Sequence, residues 1–355
     1  MKEKTVVGDN ISRREFLEKS ALVAASLCIP TFVGCTKEEA EALLQKHFLE
    51  LTPTQVEQVL RRMEKENLKK FAKSVKVGTE PAMDKVLFGY GLDISRCIGC
   101  RRCVHACVKE NNQSRDPEIH WIRVLEFNKE HGIDLPEADP YYCSPNSIHD
   151  ENSKRVSPHQ LTELTAKQKA ILEKPESQYP LYHVNSDEDK AEKSACKVPR
   201  EDHFYIPISC QQCENPPCVK VCPVKATWKE PDGIVVIDYN WCIGCRYCMA
   251  ACPYGARHFN WAEPKIQAED INQDMHYLGN RPRPRGVVEK CTFCIQRTRK
   301  GRYPACVEVC PVGARKFGNL IDPNSEISYI IKNKRVFILK NELKTRPKFF
   351  YFYGL

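Results

Sequence analysis

The clearest helical pattern in the chain begins at Thr52. Thr52-Pro53-Thr54-Gln55 supplies an N-cap hydroxyl, a proline at the first helical position and a capping-box glutamine. Val56, Val59, Leu60, Met63, Leu68 and Phe71 then follow roughly one helical face. Such a helix either packs on its own domain or serves to space that domain from a membrane or dock a partner. Residues 120–127 read as a strand. Residues 226–228, a Pro231-Asp232-Gly233 turn and residues 234–238 read as a β-hairpin. Residues 335–339 and 348–353 are strand-like and expected to close over the core or a partner. Between 136 and 199 the chain is polar and rich in Ser, Glu, Lys and Pro, which predicts loop with a short helix at 166–172. The apolar run at 21–34 is too short, and broken by Pro30, for a comfortable membrane span.

Cysteine usage changes this picture. A chain of 355 residues can form one large or two small domains, and twenty cysteines exceed what packing needs. Sixteen fall into four tight groups, whereas disulfide scaffolds are usually short chains with scattered cysteines. The first group is Cys97-x2-Cys100-x2-Cys103-x3-Cys107, and the second is Cys210-x2-Cys213-x4-Cys218-x3-Cys222-Pro223. The third is Cys242-x2-Cys245-x2-Cys248-x3-Cys252-Pro253, and the fourth is Cys291-x2-Cys294-x11-Cys306-x3-Cys310-Pro311. Three closely spaced cysteines can wrap three irons of a cubane. A fourth, expected at the start of a following helix, points to the neighbouring cluster. Structural zinc sites use paired Cys-x2-Cys knuckles instead. Four [4Fe–4S] clusters are therefore expected.

Spacing suggests how the groups share ligands. The hairpin joins the second and third groups as in a two-cluster ferredoxin. Cys210, Cys213 and Cys218 should then meet Cys252, while Cys242, Cys245 and Cys248 meet Cys222. By elimination Cys97, Cys100 and Cys103 pair with Cys310, and Cys291, Cys294 and Cys306 with Cys107. Ile98 and Ile243 are expected to be buried beside sulfur, with Gly99 and Gly244 bringing backbone close. Trp241, Tyr247, Tyr254 and Phe293 are expected to wall clusters from water. His105 and His258 are expected to pack or hydrogen-bond. Cys143 and Cys196 are free thiols or a disulfide, and a fifth metal site with His131, His149 or His203 is the other option.

The formal charge of +8 does not by itself point to nucleic acid. Each cluster with its four thiolates carries about −2 when oxidised, so four offset the excess. No nucleic-acid motif accompanies the basic residues, and no such partner is expected. Ser12-Arg13-Arg14-Glu15-Phe16-Leu17 before the apolar run resembles a twin-arginine export signal. Clusters are assembled in a reducing cytoplasm, so a periplasmic cluster protein must cross the membrane folded. Phe32-Val33-Gly34-Cys35 resembles a lipoprotein processing box with Cys35 as the lipidated residue. Cleavage without lipid, or retention of the signal as an anchor, are the alternatives.

From residue 87 to 318 the chain resembles the four-cluster, ferredoxin-like subunits of periplasmic complexes related to polysulfide, thiosulfate, nitrite and dimethyl-sulfoxide reductases. Similar modules occur in alternative complex III. The resemblance rests on all four groups in order, the widened Cys294-x11-Cys306 spacing, and the repeats Cys252-Pro253-Tyr254-Gly255-Ala256-Arg257 and Cys310-Pro311-Val312-Gly313-Ala314-Arg315. It implies an α+β fold of nested two-cluster ferredoxin units around four [4Fe–4S] clusters. The expected division is a signal at 1–35, a helical region at 36–86, the core at 87–318 with an insert at about 110–204, and a tail at 319–355. It also implies electron transfer between an integral, quinone-reactive membrane subunit and a c-type cytochrome or molybdopterin subunit. The competing class is a free periplasmic ferredoxin. No nucleophile triad, phosphate loop or haem-attachment motif appears, so substrate chemistry is expected on another chain.

Overall fold

The computed structural model describes residues 47–128, 133, 139–140 and 203–354. The export signal, Cys28, Cys35, the helix expected at 166–172, Cys143, Cys196, His131 and His149 lie outside them. Among the described residues no helix is long and apolar enough to cross a membrane.

Helix α1 (Pro53–Phe71) starts where its capping residues place it. The Thr52 hydroxyl accepts from the Gln55 amide, the Gln55 side chain accepts from the Thr52 amide, and the helix ends at Ala72 in the left-handed region. Val59, Met63 and Phe71 enter the main core, so the helix packs on its own domain. Leu68, expected on that face, is exposed instead. Each fully buried apolar side chain contributes about 1.5–3 kcal/mol. The chain then forms β1 (Lys76–Gly78), β2 (Phe88–Asp93), α2 (Arg102–Glu110), β3 (Arg123–Asn128) and β4 (Asp139–Pro140). After the insert come β5 (His203–Ile208), α3 (Pro217–Lys220), β6 (Thr227–Lys229), β7 (Val235–Ile237), α4 (Tyr247–Ala250), β8 (His258–Phe259), β9 (Asp274–His276) and β10 (Val288–Glu289). Next follow α5 (Ile295–Thr298), α6 (Ala305–Glu308), β11 (Arg315–Asn319), α7 (Glu326–Asn333), β12 (Val336–Phe337) and β13 (Phe349–Phe352).

The largest sheet has the order β11-β2-β13-β12. Its central strand β2 reads Phe-Gly-Tyr-Gly-Leu-Asp and is buried throughout. The period-two alternation puts Phe88, Tyr90 and Leu92 on one face. On the other face the glycines leave room for Leu320 and Ile327, which a Cβ at Gly89 or Gly91 would strike. Strand β13 runs parallel to β2, so the tail segment is an interior strand with Phe349 and Tyr351 fully buried. Of the strand expected at 335–339, only Val336 and Phe337 pair.

Strands β3 and β5 pair antiparallel from Arg123↔Ile208 to Asn128↔His203, which brings the two ends of the insert side by side. The hairpin expected at 226–238 forms as β6–β7, with Thr227 opposite Ile237. Just beyond it, buried Asp238 accepts from the Phe48 amide and the Tyr277 hydroxyl. Phe48 stacks on Tyr277 at 4.6 Å. Parallel pairing of β1 with β9 completes the attachment of the N-terminal segment.

Candidate functional site

Each cysteine group follows the same local design. A loop carries the first two cysteines, and the third sits in a short helix: Cys103 in α2, Cys218 in α3, Cys248 in α4 and Cys306 in α6. The fourth is one turn further on, and only Cys107 is still helical. This corrects the expectation that the fourth cysteine begins the helix. Cysteines four apart share a helical face, yet they sit at different depths along it. That spacing lets the two sulfurs serve different quartets.

The tertiary fold gathers the quartets expected from spacing. Cys97, Cys100, Cys103 and Cys310 line a space of about 360 Å³, part of it continuous with solvent. Cys222, Cys242, Cys245 and Cys248 line another of about 340 Å³. Around Cys213 the sulfurs within electrostatic reach are those of Cys210, Cys218 and Cys252. Around Cys107 they are those of Cys294, Cys291 and Cys306. None of the sixteen is in a disulfide.

The quartets also stand in a row. Cys218 and Cys248 are within electrostatic reach of each other across the first pair, and Cys103 and Cys306 across the second. Between the pairs Cys210 is within electrostatic reach of Cys291. There Gln212 Nε2 donates to the Cys291 carbonyl at 2.8 Å. The order is Cys222/242/245/248, then Cys210/213/218/252, then Cys107/291/294/306, then Cys97/100/103/310.

Electrostatics fit an anionic iron cluster. Burial pushes the thiols of Cys97, Cys103, Cys213 and Cys291 up to about 12, and those of Cys107 and Cys294 well above their ordinary range. Bare thiolates are unfavourable there, so a cationic iron core has to hold the charge. The final arginine of each repeated signature is buried between two quartets. Arg257 Nη2 donates to Cys218 Sγ at 3.0 Å, and Arg315 Nη2 to Cys103 Sγ at 3.1 Å. Burial alone would lower the pKa of both guanidiniums. Sulfur anions outweigh it and raise them, from Cys218, Cys248 and Cys210 for Arg257 and chiefly from Cys103 for Arg315. Arg257 Nε and Nη1 are buried without a protein acceptor, donors that the sulfur atoms of an anionic cluster would satisfy.

Gly99 and Gly244 hold φ of +66° and +68°. A Cβ on the first would meet the Tyr205 ring at 2.8 Å, and on the second the Gly286 carbonyl oxygen at 2.1 Å. Tyr254 and Phe293 are buried as expected. Ile243 and Tyr247 are not, at 56 % and 60 % exposed, because their loop and helix α4 lie at the surface end of the row. Trp241 is half-buried and donates its indole N–H to the Val224 carbonyl at 2.8 Å. Burial depresses His105 and, to about 4, His258. Sequence reasoning missed Tyr90, Asn111 and Gln113, which reach cysteine sulfurs. The polar run Asn111-Asn112-Gln113 directly after a cysteine-bearing helix was the available signal.

Two models described as 4Fe–4S dicluster domains match the chain, one over residues 96–226 and the other over 201–284 and 280–320. The chain is 51 % identical over 295 residues to Hdr-like menaquinol oxidoreductase iron–sulfur subunit 1 of Archaeoglobus fulgidus, covering 77 % of this chain and 85 % of that one. The chain belongs to the 4Fe–4S dicluster family of oxidoreductase iron–sulfur subunits. Two further relatives extend the family's range. An iron–sulfur protein assigned to a dimethyl sulfoxide reductase in Halobacterium salinarum is 39 % identical over 267 residues, 75 % of this chain and 79 % of its own. The iron–sulfur cluster-binding subunit of menaquinone reductase from Nitratidesulfovibrio vulgaris is 32 % identical over 296 residues, 75 % and 89 %. As a tandem dicluster subunit this chain carries [4Fe–4S] clusters, and its cysteines suffice for four.

Proposed function

We propose that this chain carries electrons one at a time along four [4Fe–4S] clusters, between two other subunits of a membrane-bound respiratory oxidoreductase. When bound, each cluster supplies a one-electron redox centre. The ligands are the four quartets in the order above, with Cys252 and Cys222 exchanged within one pair and Cys310 and Cys107 within the other. The observation that carries the reading is the row itself. In both terminal quartets three or more cysteines are half-buried, whereas Cys107, Cys294 and Cys306 inside it are buried. Both ends are thus accessible to partners, and the Cys107/291/294/306 quartet is the most enclosed, while Cys210 and Cys252 of its inner neighbour are half-buried. Ile243, Tyr247 and Trp261 are exposed at or near the Cys222/242/245/248 end, where an apolar partner surface would exclude water.

One partner is an integral, quinone-reactive membrane subunit, and the other a c-type cytochrome. The likeness to a menaquinol oxidoreductase subunit supports the quinone side. A second reading replaces the cytochrome with a molybdopterin subunit, and the likeness to the dimethyl sulfoxide reductase protein favours it. Ser12-Arg13-Arg14-Glu15-Phe16-Leu17 supports export of the folded chain to the periplasmic face, and Cys35 supports a lipid anchor. A free ferredoxin carrier would elute alone from native membranes. Co-purification with other subunits is expected, and elution as a monomer would sink the subunit reading. Haem, molybdenum and tungsten in the purified complex then separate the two partners. Abundant c-type haem without either metal supports the cytochrome, and molybdenum or tungsten without haem supports the molybdopterin subunit. For the anchor, an acyl label that persists in Cys35→Ala would exclude lipidation at that residue.

A further inference from the structure

The quartet of Cys107, Cys291, Cys294 and Cys306 has a distinct set of hydrogen-bond donors. Gln113 Nε2 lies 3.1 Å from Cys107 Sγ. Asn111 Nδ2 donates to the Cys107 carbonyl at 3.0 Å and lies 3.5 Å from the sulfurs of both Cys107 and Cys294. The Tyr90 hydroxyl is 3.3 Å from Cys306 Sγ and accepts from Arg315 Nη1 at 2.8 Å, which leaves its own proton for sulfur. The Phe293 amide reaches Cys291 Sγ at 3.4 Å. Every sulfur of this quartet therefore has a donor. By contrast, Cys103 and Cys218 receive guanidinium N–H groups.

These side chains are fixed in place. Asn111 and Gln113 are 0 % exposed. Gln113 Oε1 accepts from the Trp121 amide at 3.2 Å, so its nitrogen must face Cys107. Asn111 Oδ1 accepts from Gln296 at 3.3 Å, and the same logic applies. Tyr90 stacks on Phe349 at 4.4 Å. Reduction adds an electron to an already anionic centre. Burial without water opposes that step, and oriented N–H and O–H dipoles aimed at sulfur favour it. With Cys107, Cys294 and Cys306 all buried, this quartet has the fewest sulfurs open to water.

We propose that Tyr90, Asn111 and Gln113 raise the reduction potential of the cluster held by this quartet, so that electrons are not blocked at the most buried site. The inference rests on the quartets being the ligands. The test is an anaerobic redox titration of the purified complex, monitored by electron paramagnetic resonance, with Gln113→Met and Tyr90→Phe. Each variant should lower one midpoint so that this cluster is about tenfold less reduced at fixed potential, about 59 mV for a one-electron couple. The midpoints of the Cys222/242/245/248 and Cys210/213/218/252 quartets should stay in both variants, and Gln113→Met should also leave that of Cys97/100/103/310, whose Arg315 contact Tyr90→Phe alters. Exchangeable-proton hyperfine coupling at that cluster should weaken in Gln113→Met. Tyr90→Phe keeps the stacked ring, so it tests the idea even where Gln113→Met unfolds. Four unmoved midpoints, or an equal fall in all four, would overturn the proposal. Fewer than about sixteen irons in the unsubstituted chain would instead refute the ligand assignment.

Discussion

At residue 244 there is no room for a side chain. A Cβ there would lie 2.1 Å from the Gly286 carbonyl oxygen, at a φ of +68° that L-residues resist. Gly244→Ala should cost about 1–3 kcal/mol of local strain. It should also release the cluster of the Cys222/242/245/248 quartet, leaving about twelve irons per chain. A colorimetric iron assay checks this, and a full complement of iron would show that the loop can yield. His276 is a second position where one group sets a property. Its Nε2 donates to the Glu80 carbonyl at 3.0 Å, and its Nδ1 accepts from the Leu278 amide at 3.1 Å. The neutral ring is therefore satisfied, and protonation would break the second bond. Burial is the main cause that lowers its pKa from 6.5 to about 4, with Arg299 and Lys300 adding and Glu80 opposing. Below 6.5 the unfolded chain takes up a proton that the folded chain refuses. Its contribution to stability is thus present above that pH and lost as pH falls toward 4. The melting temperature of the loaded protein should drop between about pH 7.5 and 5.5, with a shallower slope in His276→Gln. An identical slope in the variant would remove His276 as the source.

Among the elements, β13 carries more than its length suggests. It joins β2 to β12, and its fully buried Phe349 stacks on Tyr90, the donor to Cys306. Phe349→Ala should destabilise the protein by about 3–5 kcal/mol through the cavity it leaves. Chemical denaturation measures this, and a loss below about 1 kcal/mol would mean that the sheet does not depend on the tail strand. The aromatic run at 348–353 showed that a strand exists, though not that it lies inside the main sheet. Strand β2 is not legible in the sequence because two of its six positions are glycines, where alternation has no side chains to reveal it. The hairpin β6–β7 and the start of α1 were legible because turn and cap chemistry are local. The helix carrying each third cysteine was misplaced by one turn, since spacing alone gives no phase.

For the whole molecule, charge and cofactor are linked. The chain is formally +8 without iron, and four clusters with thiolate ligands would bring it near neutrality at about −2 each. Chelating the iron from the reduced protein should therefore strengthen retention on a cation exchanger. Equal retention with and without iron would contradict the charge balance. The sequence by itself determined the cofactor and the division of sixteen cysteines into four groups of four. Those follow from covalent spacing, which limits which sulfurs can wrap one cubane. It also showed that two arginines end a repeated signature. Only the tertiary structure decided the order of the quartets and left half-buried cysteines at both ends. It alone aimed Arg257 and Arg315 between neighbours and delivered Tyr90, Asn111 and Gln113 to the inner sulfurs. Tyr90 and Cys306 are 216 residues apart in the chain, and contacts at that separation are set by sheet pairing and packing, which no local pattern encodes.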